Sequence, residues 1–516
     1  MAANTVEIAF GLVLVATSVH WVLITRDSWF WLDEWVMAWQ MRDLGNVVEP
    51  FNDHLSILIL GLYRLLLNVV GFSTYTPYRL AGVVSLAAVS LIMFVHARRM
   101  VGPGIAALMA LILLWQPELS IEPGGLNHSL ALVGGISCAI GLTGRESRHD
   151  LVVAGGLLFS LASAGGGVAV AAAAIVHTIC TRGSLNRWLA VLVPSIAWAA
   201  WWRVMVPPDP ADLIAARPDL LHLGWGALDH ASRSFDSLAL GNRVAGYVLL
   251  AVFVVHALWR LRDGLVASAN VLAWSAAVFV WWFGLMHSRW LFLGDVKTFR
   301  YELVSVTFIL LAVLPRRRPA WVGDLTTDAR RRVLLTVAVL AVAAVLTLSV
   351  HPDLERFAQD QASYGRGTRA LVALIAIDDP PVVPDDFQRS LGLGYTDARR
   401  IRAVLRRFGA PAFVRDPDRL TLEAADVRIQ RRPASGPPPG CAPLVGAQQV
   451  AADQPIVLHS GSGDPVVEVR RHGERWVSLG RLAAGRPAEV VLPSLAAPGD
   501  WSLRAEGACA ATSVPS

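Results

Sequence analysis

Charged side chains are scarce in this sequence. Asp, Glu, Lys and Arg make up 16% of its 516 residues, while 54% are hydrophobic. Soluble domains carry about 25% charged residues, so a wholly aqueous chain is excluded and the bilayer is the main solvent. Cysteine is also rare, with four residues. Cys138 and Cys180 fall in apolar runs and read as core, whereas Cys441 and Cys509 bracket the distal part and read as a disulfide. A disulfide needs an oxidising compartment, which puts that part outside the cytoplasm. No cleavable signal is expected: the apolar stretch 6–24 has no basic segment before it and no small-residue cleavage site before Trp29. It reads as a retained helix.

Charge that is present sits unevenly. Long apolar runs fill the first 350 residues, and the remainder reads as a globular domain. The net charge of +5 and pI near 9.3 would suggest nucleic acid for a soluble protein. Here the arginines cluster in short inter-helix loops, the pattern of a cytoplasmic membrane face, and no nucleic-acid partner is expected.

A spanning helix needs about 20 apolar residues. Clear stretches are 5–24, 76–97, 186–206, 244–259, 266–286 and 332–350, with shorter ones at 102–116, 129–143 and 303–315. Residues 151–180 contain Gly165-Gly166-Gly167, which predicts two short helices meeting at a tight turn. The stretch 55–70 is short and carries Arg64 near its centre, so it is expected to lie in the interface. If it does not cross, loops 98–102, 144–150, 182–187, 260–265 and 315–332 share one side and hold 14 Arg or Lys in 42 residues. The opposite loops, 25–54, 117–128, 164–166, 207–243 and 287–302, hold 8 in 98. Positive charge marks the cytoplasmic side. The expectation is therefore a multi-pass cell-membrane protein with eleven crossings, its N-terminus cytoplasmic and its C-terminal domain extracytoplasmic.

This topology gathers the acidic, aromatic and histidine-bearing loops on the external face. The first reads Arg26-Asp27-Ser28-Trp29-Phe30-Trp31-Leu32-Asp33-Glu34-Trp35, followed by Phe51-Asn52-Asp53-His54. Adjacent carboxylates among tryptophans near a membrane repel one another and lose solvent, which raises the proton affinity of one of them and suits a general base. Solvated loop acids are the competing reading of Asp33 and Glu34. The loop 207–243 holds Asp209, Asp212, Asp219, His222, Asp229, His230 and Asp236, which could bind a metal or the acceptor, but their spacing matches no metal motif and a solvated loop is the preferred reading. His177 and His256 sit at apolar helix ends and read as structural.

The order of these features resembles the GT-C superfamily of membrane glycosyltransferases that use polyprenyl-phosphate-linked sugars, among them protein O-mannosyltransferases, aminoarabinose transferases and arabinofuranosyltransferases. The matching strings are Trp31-Leu32-Asp33-Glu34, Asn52-Asp53-His54, Pro77-Tyr78-Arg79-Leu80, Ala97-Arg98-Arg99 and Lys297-Thr298-Phe299-Arg300-Tyr301-Glu302. The resemblance covers residues 1 to about 315. It implies an inverting glycosyltransferase in which Asp33, with Glu34 beside it, corresponds to the acidic base of the O-mannosyltransferases. Arg300, with Lys297 and Tyr301, then contacts the donor phosphate. Asp53, His54, Glu122 and His128 fall in the loops that would meet donor or acceptor. Residues 117–128 offer Glu118, Glu122 and His128 but no aspartate, unlike the metal-holding loop of oligosaccharyltransferases, so no metal is expected.

The physical demands agree with such a role. A departing polyprenyl phosphate is a stable anion with a second pKa near 6 and needs little protonation. The reaction then requires a carboxylate to take the acceptor hydroxyl proton and cations to neutralise the leaving group. The expected partners are the bilayer, a polyprenyl-phosphate sugar as donor, and a glycan, lipid or protein acceptor. A transporter or flippase of lipid-linked glycans is the main rival, although no internal repeat is found; a non-catalytic envelope-assembly protein is the other.

The expected fold is thus an all-α polytopic membrane domain over 1–351, with about eleven transmembrane helices plus an interfacial helix, followed by a small extracytoplasmic domain over 352–516. Residues 352–440 are expected to be partly helical, with a Pro/Gly-rich linker at 432–440, and 441–516 to be β-sandwich-like. Thr396 and Gly409 mark the ends of an arginine-rich helix. Strand-like runs lie at 455–459, 466–470, 476–482, 489–492 and 501–504. Trp476 and Trp501 read as core packing or as sugar-stacking surfaces.

Overall fold

A computed structural model describes residues 5–30, 33–51, 54–115, 123–144, 146–207, 218–239, 241–293, 299–315, 329–376, 398–409, 428–431, 441–450, 456–460, 465–471, 476–481, 488–491 and 501–512. The chain divides into two compact units. One comprises Met1–Arg26, Asp43–Leu66 and Thr76–Ala358; the other comprises Asp27–Arg42, Leu67–Tyr75 and Gln359–Ser516.

The first unit is helical. Its described helices are α1 (Thr5–Ile24), α4 (Thr76–Val101), α5 (Pro103–Leu114), α6 (Pro123–Thr143), α7 (Ser147–Leu161), α8 (Gly166–Thr181), α9 (Leu185–Met205), α10 (Leu220–Leu238), α11 (Arg243–Arg262), α12 (Ala269–Leu293) and α13 (Phe299–Val313), and it takes the first part of α3 (Ile57–Val69) and of α14 (Ala329–Ala376). Six described helices are long and apolar enough to cross a membrane, and five shorter apolar ones accompany them. On α11 the apolar Val244, Val248, Val252 and Val255 are all exposed. Such a continuous bare apolar face, together with these apolar helices, fits a multi-pass membrane protein.

Inside the bundle, small residues let backbones approach. A Cβ added to Gly134 of α6 would stand 2.6 Å from the Gly156 carbonyl oxygen of α7, and one added to Gly156 would stand 2.6 Å from the Cys138 nitrogen. Glycine at both positions allows this crossing. At one end of these helices Arg187 of α9 is clamped: Nε donates to Asp150, and Nη2 donates to the Gly144 carbonyl at 2.9 Å. The expected turn at the glycine triplet is present, with α7 ending at Leu161 and α8 starting at Gly166.

The second unit takes α2 (Asp33–Gln40), the C-terminal end of α14, α15 (Ala398–Phe408) and nine short strands. All described strand pairs are antiparallel. One sheet has the order β1 (Arg428–Arg431), β7 (Ala488–Val491), β4 (Ile456–Ser460), β9 (Ala508–Thr512), β2 (Ala442–Pro443). The other has the order β3 (Gln448–Val450), β8 (Trp501–Arg504), β5 (Val466–Arg471), β6 (Val477–Arg481). Every residue of β4 is buried, as befits a central strand. The disulfide joins Cys441 to Cys509 as expected, with Cα atoms 5.4 Å apart, and fastens the two-residue β2 to β9.

Three expectations are corrected. The segment 207–243 is not simply a solvated loop, because it contains the 19-residue α10. The segment 25–54 contains α2 and a 3-10 turn at Leu44–Val48. The β-rich part begins before the proline-rich linker, since β1 already pairs with β7.

Candidate functional site

In the first unit, residues nominated from separate segments come together. His54 and Phe51 exchange two backbone hydrogen bonds of 3.0 Å each. The His54 ring lies against Gly165, where an added Cβ would stand 2.8 Å from Cε1. A side chain at this position would have to displace the imidazole. The next residue, Gly166, faces Trp281 of α12 and Val304 of α13, each 3.8 Å from where its Cβ would be. Trp281 donates from Nε1 to the Tyr301 carbonyl at 3.0 Å. Its ring meets His128 edge-on at 5.4 Å and Tyr301 at 6.0 Å, and the His128 and Tyr301 rings are 5.7 Å apart. His54, His128 and Tyr301 therefore join one continuous cluster, with Gly165 and Trp281 as its connectors. His128, Tyr301 and the neighbouring Asn127 and Ser129 are all buried.

The helix that follows the Lys297 motif is held from the side. Ser237 of α10 donates to the carboxyl of Glu302, at the first turn of α13. Trp282 donates from Nε1 to Ser234 Oγ at 3.1 Å, and its ring stacks on His230 at 4.8 Å. Two acids of the 207–243 segment have structural partners: Asp219 caps α10 by accepting from the His222 backbone N–H at 2.9 Å, and Asp229 pairs with Arg233 at 2.6 Å. That cap holds the Asp219 carboxyl below the usual aspartate range, chiefly through the His222 backbone N–H. Asp209 and Asp212 lie outside the described residues.

In the second unit Glu34 is buried, at 1% exposure. Tyr75 donates its hydroxyl to Glu34 Oε1 at 2.9 Å. The surroundings are aromatic. Phe30 meets Tyr75 at 5.0 Å and Phe72 at 4.9 Å, and Trp35 stacks on Phe72 at 4.8 Å. Gly365 of α14 approaches from another side, where a Cβ would come 3.0 Å from the Trp29 nitrogen. Glu34 is therefore an oriented, desolvated carboxyl and not a solvated loop acid. Asp33 opens α2, while its side chain lies outside the described residues.

Of the remaining nominees, Asp53, Glu118, Glu122 and Lys297 lie outside the described residues, and Arg300 is placed as the second residue of α13 without a described side chain. Lys297 is also the single lysine of the chain. Among the described residues no group of His, Cys, Asp and Glu is arranged to hold a metal ion. Two resemblance motifs are architectural. Arg79 is buried and donates from Nη1 to the Val22 carbonyl at 3.1 Å, and Arg98 pairs with Glu7 at 2.9 Å, so both tie α4 to α1. His177 is buried within α8, in keeping with a structural residue. Trp476 carries the Arg504 guanidinium 4.3 Å from its ring centroid, and the side chain of Trp501 lies outside the described residues. Sequence reasoning missed Tyr75 and Trp281, and quoted Glu302 in its motif without giving it a role. Glu302 was visible as an acid in the first turn of an apolar helix, whereas nothing local marks Tyr75 or Trp281.

No protein-family model and no curated protein matches the chain. Among solved structures it is similar to ArnT from Cupriavidus metallidurans bound to undecaprenyl phosphate, with 15% identity and a TM-score of 0.41 over 82% of this chain and 78% of that one. It is also similar to the Archaeoglobus fulgidus oligosaccharyltransferase in its apo form, with 12% identity and a TM-score of 0.38 over 73% of this chain and 59% of that one. Its complex with Zn and sulfate gives 12% identity and a TM-score of 0.34 over 73% and 56%.

Proposed function

We propose that the chain is a GT-C-type membrane glycosyltransferase that moves a sugar from a polyprenyl-phosphate donor to an envelope glycan, lipid or protein on the extracytoplasmic face, with eleven crossings and a cytoplasmic N-terminus. The observation that supports this reading is the chain of contacts that runs from His54 through Gly165 and Gly166 to Trp281, and from Trp281 to His128 and Tyr301 in the first turn of α13. His54 belongs to the acidic-histidine motif, and Tyr301 directly follows Arg300 of the cationic motif in the sequence.

The reaction follows from the groups. The acceptor hydroxyl attacks the anomeric carbon from the face opposite the phosphate, a new C–O bond forms, and the bond to the phosphate oxygen breaks, so the centre inverts. Asp33 takes the hydroxyl proton. Lys297 and Arg300 neutralise the departing phosphate, with Tyr301 beside them. Glu34, buried and bonded to Tyr75, positions the start of α2 that bears Asp33. No step calls for a metal.

The test is transfer by purified protein from a panel of polyprenyl-phosphate sugars, read as acceptor-dependent release of polyprenyl phosphate. Asp33→Asn keeps shape and loses the base, so turnover falls by about 10² to 10⁴. Near-wild-type transfer by folded Asp33→Asn removes the base assignment, and absence of any release across the panel removes the enzyme reading.

A further inference from the structure

α15 has an unusual division of faces. Its sequence is Ala398-Arg399-Arg400-Ile401-Arg402-Ala403-Val404-Leu405-Arg406-Arg407-Phe408, with five arginines and no acid. Ile401 and Val404 are fully buried and Leu405 is nearly so. The helix packs against α2, and Arg402 turns inward to donate from Nε to the Ile375 carbonyl at 3.0 Å. Arg399, Arg400, Arg406 and Arg407 are exposed. At about 100° per residue these four fall within one arc of roughly 120°, as two pairs separated by seven residues, or about 10 Å along the axis. Like charges so close repel one another. Among the described residues Arg399 and Arg406 have no carboxylate partner.

The stripe continues onto α2. Trp39 is partly exposed and has the Arg42 guanidinium 4.0 Å and the Arg400 guanidinium 5.5 Å from its ring centroid. One indole thus gathers a guanidinium from each of two segments. Trp39 lies five residues beyond Glu34 on the same short helix, about 7.5 Å along its axis. A helix meant to lie in a membrane interface presents its apolar face to lipid. Here that face is already spent on the protein, and what remains outward is cationic.

We propose that this arginine stripe, with Trp39 and Arg42 at its end, is a docking surface for an anionic glycan, an acceptor chain bearing carboxylate or phosphate groups. Guanidinium forks fit both anions through paired N–H donors, and the spacing of the two arginine pairs suits a repeating polymer more than a single small anion. The role as acceptor site rests on the transferase reading. The binding itself does not.

The experiment uses the full chain in nanodiscs of zwitterionic lipid without donor, and measures binding of labelled oligogalacturonate, polyphosphate and neutral maltoheptaose. One or both polyanions bind, and which one binds separates a carboxylate-bearing glycan from a phosphate-bearing one. Binding weakens at roughly 0.3 M salt, where screening is strong. Arg406→Glu with Arg407→Glu weakens it by about tenfold or more. The milder pair Arg406→Gln and Arg407→Gln shifts it in the same direction, which guards against misfolding of the charge reversal. Equal binding by these variants, or equal binding of maltoheptaose, overturns the proposal. Capture of anionic vesicles with no affinity for either soluble polyanion also overturns it and makes the stripe a membrane contact. Transfer activity enters none of these outcomes, so failure here leaves the enzyme reading standing, and the reverse.

Discussion

The Tyr75 hydroxyl donates to Glu34 Oε1 at 2.9 Å, joining residues 41 positions apart inside a wall of aromatic rings. A buried acceptor that loses a donor costs about 1–3 kcal/mol. Tyr75→Phe is therefore expected to destabilise the protein by about that amount and to lower transfer through misplacement of α2. Glu34→Gln keeps an acceptor for Tyr75 and is expected to lose activity only partly. Thermal unfolding in detergent alongside turnover checks both. If Tyr75→Phe unfolds like wild type and transfers normally, the pair has no positioning role.

The cationic motif yields a separate test, because Lys297 is the only lysine in the chain. An amine-acylating reagent then has one side-chain target besides the α-amino group. A polyprenyl-phosphate donor is expected to protect Lys297, and Arg300→Ala is expected to weaken donor binding and turnover together, since it removes charge that faces both bound and departing phosphate. Mass spectrometry of acylated protein reads the protection. Acylation of Lys297 unaffected by saturating donor contradicts the assignment.

Much of the architecture was legible because it depends on local chemistry. Consecutive glycines at 165–167 announced the α7–α8 turn, Gly409, at φ +89, ends α15 as expected, and alternating apolar residues between turn residues located β4 to β8. α10 was missed because its segment was read by polarity. Leu223, Ala227, His230 and Ser234 are the buried face, at spacings of four, three and four, which is a helical period that small and polar residues disguise. The site was legible only in parts. His54, His128 and Tyr301 were each nominated from their own loop, but their meeting at Trp281 and Gly165 is a product of tertiary packing that no spacing reveals. For the same reason the sequence left Glu34 open between a desolvated carboxyl and a solvated loop acid, a choice made by its burial and by the hydrogen bond from Tyr75.

His230 makes the docking of α10 sensitive to pH. Burial pushes its imidazole below the ordinary value near 6.5, nearby Arg233 adds to this, and Asp229 opposes it. Above pH 6.5 both docked and released forms are neutral, so stability does not change. As pH falls from there toward the lowered value, the released helix takes up a proton that the docked one does not, and docking weakens. Hydrogen exchange of residues 220–238, corrected for intrinsic rates, is expected to show less protection at pH 5.5 than at pH 7.5. His230→Phe keeps a ring on Trp282 and removes the dependence. Equal protection of wild type at both values excludes His230 as its source.

Topology can be tested against an unusually quiet background. All four cysteines are accounted for: Cys138 and Cys180 are buried thiols, and Cys441 and Cys509 are paired. Wild-type protein therefore offers a membrane-impermeant maleimide almost nothing to react with. Ser147, at the start of α7, and Arg407, near the end of α15, are both exposed. Their cysteine variants report opposite sides if the basic loops are cytoplasmic and the distal domain is outside. In intact cells Arg407→Cys is expected to label and Ser147→Cys to label only after permeabilisation. The disulfide gives an independent reading of the same question, since a bridge closing 68 residues is worth about 4 kcal/mol in the chain-entropy model and persists only in an oxidising compartment. Labelling of both cysteines from one side contradicts the eleven-crossing arrangement. Free thiols at Cys441 and Cys509 in protein isolated without reductant remove the chemical ground for an exported distal domain. Free thiols alone leave the export of the distal domain resting on the distribution of charge, whereas labelling of both positions from one side also undermines an active site at Asp33 on the external face.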